Sequence, residues 1–264
     1  MKKITISHIE KLKAQGEKFS CLTAYDATFT EVISDAGVDM ILVGDSLGNV
    51  IQGQETTVPV TLEDMEYHIA CVANASPNCL ILGDLPYMSY STPEQAYETA
   101  AAVMQAGANM VKFEGGQWLY DTITGLTERG IPVCAHLGLT PQSVDALGGF
   151  KVQGRDDKTA SKILTDAKAL EKAGARMLVL ECVPSDLAKL VTESLQIPVM
   201  GIGAGVDVDG QVLVLHDMLG ISPFQAKFTR NFMADAKGSI QDAIALYHNE
   251  VKEQNFPADE HGFE

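Results

Sequence analysis

The chain is short of positive charge, long apolar runs and paired cysteines, and each absence removes a class of function. Its 264 residues carry 19 Lys and Arg against 35 Asp and Glu, a formal net charge of −16. Phosphate backbones are bound by basic faces, so nucleic acid is excluded as a partner. An acidic chain that takes an anionic substrate needs a bound cation or a buried lysine to do so. The five cysteines, Cys21, Cys71, Cys79, Cys134 and Cys182, are odd in number and never fall in a Cys-x-x-Cys spacing. They read as small buried hydrophobes in a reducing compartment. With no His/Cys cluster at ligand spacing, zinc is not expected. No apolar stretch nears the roughly 18 residues of a membrane helix. The opening MKKITISHIEKLKAQGEKFS has basic residues but no apolar segment of the secretory kind. The expectation is a soluble, cytoplasmic protein without a membrane partner. Trp118, the single tryptophan, and the ten methionines read as packing or surface and imply no organic cofactor.

What is present is alternation. Near-continuous apolar runs, the mark of strands buried in a parallel sheet, occur at Ser20–Ala24, Met40–Asp45, Cys79–Asp84, Met110–Glu114, Val133–His136, Met177–Glu181, Val199–Ile202 and Val212–His216. Helical patterns separate them. Thr92 reads as an N-cap with Pro93 at the first position, Gln95 closing a capping box and Gly107 ending the helix. Thr61 opens another, with Leu62, Met65, Ile69 and Val72 on one face, and a late helix puts Ile240, Ala243, Ile244, Tyr247 and Val251 on an apolar stripe. Strand–helix alternation without a composition break predicts one domain over residues 1–264, of the α/β class. Eight units select a closed (β/α)8 TIM barrel, preceded by a short helix around Ser7–Gln15 and followed by a loosely ordered tail of about ten residues. Connections into strands are short, whereas 46–60, 137–155 and 203–211 leave strands and are long, which marks the C-terminal face as the active face. The first of these, with a Gly-Asn turn, reads as a lid or as an ordinary variable loop. The GxGxG within 201–210 is a weak phosphate signal that a tight turn explains equally well.

Four apolar runs stop on an acid, at Asp45, Asp84, Glu114 and Glu181. A single Asp before a helix is often only an N-cap, but four together predict a ring of carboxylates around one cavity. Side chains alternate along a strand, so Lys112 and Glu114 face one way and Val111 and Phe113 the other. If the apolar pair meets the outer helices, Lys112 points into the barrel mouth, where adjacent acids offset the cost of burying it. Two strand-end Asp residues suit Mg²⁺, which is commonly held by one or two carboxylates plus water and substrate. His136 ends the fifth run and Tyr25 the first, and both could face the same cavity as additional candidates.

The segments LTAYDAT (22–28), VGDSLGNVIQG (43–53), TTVPVT (56–61), GDLPYMSY (83–90), VKFEGG (111–116), IPVCAHLGLTPQSV (131–144), GGFKVQGR (148–155), ECVP (181–184), IPVMGIGAG (197–205) and QVLVLHDMLG (211–220), with Phe256-Pro257 and His261 near the end, span nearly the whole chain. In them the sequence resembles the ketopantoate (3-methyl-2-oxobutanoate) hydroxymethyltransferase family. The resemblance implies a barrel of the phosphoenolpyruvate/pyruvate type, working in pantothenate synthesis. It implies Mg²⁺ as cofactor, with Asp45 and Asp84 as ligands and Glu114 in the metal site through water. Ser46 and Lys112, with the two Asp, would bind the keto acid, and Glu181 would be the catalytic base. It also implies 5,10-methylenetetrahydrofolate as co-substrate and a homodecamer. Three alternatives stay open: another metal-dependent keto-acid lyase or mutase of the same barrel type, a Schiff-base aldolase with Lys112 as nucleophile, and a non-catalytic ligand-binding barrel.

Overall fold

In the computed structural model, which describes residues 3–75, 77–223, 225–236 and 238–264, the apolar runs pair side by side in chain order. β1 (Phe19–Thr23), β2 (Met40–Val43), β3 (Leu80–Asp84), β4 (Met110–Glu114), β5 (Val133–Gly138), β6 (Met177–Glu181), β7 (Val199–Ile202) and β8 (Gly210–Leu213) form one closed parallel barrel, β8 pairing with β1. The (β/α)8 expectation is met. The helices are α1 (Ile6–Gln15), α2 (Ala27–Asp35), α3 (Leu47–Val50), α4 (Leu62–Asn74), α5 (Pro93–Ala106) and α6 (Tyr120–Glu128), then α7 (Val144–Leu147), α8 (Asp157–Lys172), α9 (Ser185–Ser194), α10 (Leu215–Met218), α11 (Phe232–Asp235) and α12 (Ile240–Lys252). Among the described residues no helix is long and apolar enough to cross a membrane.

Two apolar layers hold the barrel. Outward strand residues such as Ile41, Ile81, Val111, Phe113 and Leu178 pack on the helices through Met65, Ile69, Val103, Ile123 and Ile244. Inward residues at the strand starts, among them Met40, Leu80, Met110, Cys134, Met177 and Met200, fill the interior, and Ile9 and Leu12 of α1 plug its floor. All five cysteines are free thiols, and only Cys71 is not buried.

Several local expectations change. Gln95 does not close a box with Thr92: the Thr92 side chain accepts from the Gln95 N–H, but the Gln95 amide oxygen accepts from the N–H and hydroxyl of Ser91, one residue earlier. The reciprocal capping box lies instead at Thr61–Asp64. Gly48-Asn49 is not a turn but part of the single helical turn α3. The eighth strand begins two residues before Val212 and ends before His216, which lies on α10. Gly210 can pair there because it has no side chain: a Cβ would lie 2.5 Å from the Phe19 ring. The last residues are not a loose tail. Phe256 is buried against Phe232 and Tyr247, His261 is buried beside Phe256, and the Ser185 N–H donates to the Phe263 carbonyl at 2.9 Å.

Candidate active site

Above the apolar floor, the same inward positions carry charge. On β4, Met110 is followed by Lys112 and Glu114; on β3, Leu82 by Asp84; on β5, Cys134 by His136; on β6, Val179 by Glu181. Register sets these side by side, Asp84 opposite Lys112, Glu114 opposite His136 and Gly138 opposite Glu181. Val111 and Phe113 meet the helices, as alternation requires.

Asp45 reaches the mouth by a different route. Continued alternation from Met40 and Leu42 would turn Asp45 outward with Ile41 and Val43. Instead β2 stops at Val43, two residues short of the expected end, and the chain turns so that the Asp45 N–H donates to Asp84 Oδ2 at 3.1 Å. Gly44 makes room for this turn: a Cβ there would lie 3.0 Å from Ser46 Oγ and 3.3 Å from Asp84 Oδ2.

The charged groups contact one another directly. Lys112 Nζ stands 2.5 Å from Asp84 Oδ1 and 3.4 Å from His136 Nδ1. His136 lies between two carboxylates, its Nδ1 3.4 Å from Glu114 Oε1 and its Nε2 3.3 Å from Glu181 Oε2. Asp45, Asp84, Lys112, Glu114 and His136 are all buried, while the Glu181 side chain is 15% exposed, the most open of the set. Burial and Lys112 both push the His136 imidazolium toward losing its proton, but the neighbouring carboxylates of Glu114 and Glu181 outweigh them and hold its pKa up at about 9. Burial, reinforced by Asp84 and Glu114, pushes the Asp45 carboxyl up to about 8. Burial also raises Asp84, against the pull of Lys112. Burial alone would lower Lys112; Asp84, Glu114 and Asp45 more than reverse it and hold the ammonium above its ordinary range. A lysine nucleophile needs the opposite shift.

Tyr25 and Ser46 meet each other, hydroxyl to hydroxyl at 2.9 Å, and the Tyr25 carbonyl is 2.7 Å from His68 Nδ1. Neither hydroxyl is hydrogen-bonded to the charged cluster among the described residues. Two participants are not singled out by the sequence patterns. Gln142, in the turn after β5, donates from Nε2 to Asp45 Oδ2 at 2.8 Å and from its backbone N–H to Glu114 Oε2 at 3.0 Å. Tyr90 donates its hydroxyl to Gln142 Oε1 at 2.5 Å. Both fall within the TPQSV and LPYMSY segments of the family resemblance, but neither ends an apolar run, the signal that marks the acids.

The cluster suits a divalent cation. Four carboxylates face one ammonium and one imidazolium, which leaves two negative charges uncompensated when all are ionised. Among the described residues five buried side-chain polar atoms lack a hydrogen-bond partner, and three are here: Asp84 Oδ1, Glu114 Oε1 and His136 Nε2. The short Lys112–Asp84 approach is therefore an ion-pair contact rather than a directed hydrogen bond. Among the described residues no group of three or more His, Cys, Asp or Glu is placed to hold a metal ion by itself. Mg²⁺ is commonly held by only one or two carboxylates with water and substrate, and Asp45 and Asp84 could supply those.

A closed parallel barrel of eight strands with acids at the strand ends places the chain among the (β/α)8 barrels. The structure of a 2,3-dimethylmalate lyase, described as a PEP mutase/isocitrate lyase superfamily member, superposes with a TM-score of 0.59 at 18% identity, covering 87% of this chain and 93% of its own. Phosphonopyruvate hydrolase in complex with oxalate and Mg²⁺ gives 0.61 at 13% identity, covering 80% and 81%. At these identities the likeness is one of fold. The sequence profile of ketopantoate hydroxymethyltransferase matches residues 3–259, and the chain belongs to that family. It is 57% identical over 262 residues to the 3-methyl-2-oxobutanoate hydroxymethyltransferase of Idiomarina loihiensis, covering 99% of this chain and 98% of that one. With the enzyme of the same name from Shewanella loihica it is 58% identical over 264 residues, the full length of both.

Proposed function

We propose that this protein transfers a hydroxymethyl group from 5,10-methylenetetrahydrofolate to 3-methyl-2-oxobutanoate, giving 2-dehydropantoate and tetrahydrofolate with consumption of one water, in pantothenate synthesis. The reaction follows the names of full-length relatives at 57–58% identity. The observation in this chain that carries the mechanism is the contact series Asp84–Lys112–His136–Glu181, which sets a buried cation and a partly exposed carboxylate in one strand-end cluster.

Asp45 and Asp84 would hold Mg²⁺, with Glu114 supporting the site through water. Bound there, the ion supplies Lewis acidity toward the carboxylate and keto oxygens of the substrate. Lys112 offers its ammonium to the oxygen that gains charge as the C3 proton leaves, a preorganised contact of the kind worth several kcal/mol in a dry site. Glu181 takes that proton, being the carboxylate open to substrate, and His136 holds it in position from Nε2. Ser46, tied to Tyr25, lies beside Asp45 and orients the keto acid. Water cleaves the one-carbon unit from the two folate nitrogens at the formaldehyde level, leaving tetrahydrofolate, and the C3 carbanion adds to that carbonyl carbon, whose oxygen takes up a proton to become the new hydroxyl. Assembly into a homodecamer, which the family resemblance implies, would be tested by sedimentation velocity.

The decisive experiment is proton NMR of 3-methyl-2-oxobutanoate in D2O with enzyme and no folate. Loss of the C3 proton signal with Mg²⁺, and its persistence with a chelator, is the expected result. Persistence under both conditions overturns the proposed order of steps.

A further inference from the structure

We propose that Gln142 is a positioning residue for the cation site: its amide fixes the orientation of the Asp45 carboxylate, and Tyr90 fixes the amide. The proposal rests on the reading of Asp45 and Asp84 as metal ligands.

Gln142 lies in the tight turn Pro141–Ser143 that follows β5, and it is buried. Its side-chain nitrogen has two N–H donors, and both are used, one on Asp45 Oδ2 at 2.8 Å and one on the Leu85 carbonyl at 3.0 Å. Its side-chain oxygen accepts from the Tyr90 hydroxyl at 2.5 Å, and its backbone N–H donates to Glu114 Oε2 at 3.0 Å. One residue on the loop after β5 thus joins the ends of β2, β3 and β4. The amide has one acceptable orientation. Rotated by half a turn, its oxygen would face the Leu85 carbonyl, an acceptor with nothing to donate.

The contrast between the two Asp residues gives this arrangement its meaning. Asp84 is compensated by a charge, Lys112 at 2.5 Å. The side-chain partner of Asp45 is neutral. A neutral donor can hold one oxygen of a carboxylate in place without repelling a cation on that carboxylate, whereas a second ammonium would compete with it. Groups that orient a metal ligand typically cost about 10–100-fold in metal affinity when removed.

The test is calorimetric titration of Mg²⁺ into the chelator-treated full-length protein, with steady-state kinetics across Mg²⁺ concentrations. Gln142→Leu keeps the approximate volume and removes the donors, and it is expected to raise the Mg²⁺ dissociation constant about 10–100-fold. Tyr90→Phe keeps the ring that stacks on Trp118 and packs against Phe113 and deletes only the hydroxyl that holds the amide. A smaller rise in the same direction is expected, and this variant decides the matter if Gln142→Leu does not fold. In both, kcat at saturating Mg²⁺ should return close to wild type while the Mg²⁺ concentration for half-activation rises. Unchanged Mg²⁺ affinity in the folded variants, with the wild type binding normally, overturns the positioning role alone. Lost kcat at saturating Mg²⁺ with unchanged affinity also overturns it. Failure of the wild type to bind Mg²⁺ overturns the cation site itself, and the positioning role with it.

Discussion

The lower and upper halves of the barrel interior are built on the same strands with the same inward alternation, yet they do opposite things. Below, Met40, Met110, Met177, Met200, Cys21 and Cys134 close an apolar floor with α1 beneath it. Above, one inward position further along, stand Lys112, His136 and Asp84, with Glu114 and Glu181 at the rim. The floor contributes stability by burial and tolerates little change of volume. The upper layer is costly to bury and is tolerable only because each charge has an opposite neighbour. The two halves also depend on each other: an apolar, buried floor keeps the local dielectric low, which strengthens every contact among the charges above it. Substitutions should therefore separate activity from stability according to height in the barrel.

The largest effect is expected at the rim. Glu181→Gln should lower kcat by about 10²–10⁴-fold, the usual contribution of a general base, while Mg²⁺ affinity by calorimetry and the melting temperature stay near wild type. A near-wild-type rate would remove Glu181 from the mechanism. One layer down, Lys112→Met leaves Asp84 buried without its partner and should cost about 3–5 kcal/mol in urea unfolding together with all activity. The double variant Asp84→Leu/Lys112→Met should recover most of that stability and none of the activity. If it recovers neither, the pair holds the barrel together by more than its mutual charge compensation. In the floor, Met177→Ala should cost about 2–5 kcal/mol with kcat unchanged at a temperature where the variant remains folded.

The pH dependence of stability sharpens the contrast further. His136 is held up at about 9, because its contacts to Glu114 and Glu181 outweigh burial and Lys112. Its contribution is therefore complete below about 6.5, the ordinary value for histidine, and is lost as pH rises through about 9. Asp45 is pushed up to about 8, by burial first and then by Asp84 and Glu114. The folded state thus favours its protonated form, and stability falls as pH rises from the ordinary carboxylate range toward 8. Both signs agree, so in chelator the urea midpoint should decline between pH 6.5 and 9, and saturating Mg²⁺ should flatten the part due to Asp45. Met177→Ala should displace this curve without altering its slope. The smallest effect is expected for Gly44→Ala. Its Cβ would crowd Ser46 Oγ and Asp84 Oδ2 at 3.0 and 3.3 Å, so a several-fold weaker Mg²⁺ dependence with little change in melting temperature is the expected outcome, read by the same titration.

Much of this architecture is legible in the sequence. Lys112 and Glu114 follow from period-two alternation around Val111 and Phe113, and the barrel follows from eight apolar runs separated by helical patterns. Strand ends are readable to within one to three residues, and the errors have physical causes. The run MILVGD is continuous in hydropathy and so extends the expected second strand to Asp45, but a strand ends where its ladder ends, and Gly44 lets the chain turn. The same continuity attaches His216 to the eighth strand, while Gly210 and Gln211, which look like loop, pair with Met200 and Gly201. Gln142 and Tyr90 escape such a reading because neutral polar residues in a loop carry no periodic signal.

The sequence by itself determined the fold class, the strand ends where charge gathers and the identity of those charged groups, since all three follow from local alternation and from residue type at the ends of apolar runs. Only the tertiary structure decided which charges compensate which. His136 lies between Glu114 and Glu181, Lys112 compensates Asp84, and Asp45 receives the neutral amide of Gln142. Those pairings depend on barrel closure and inter-strand register, which bring residues up to 97 positions apart in the chain within hydrogen-bonding distance, and no local pattern encodes a contact of that range.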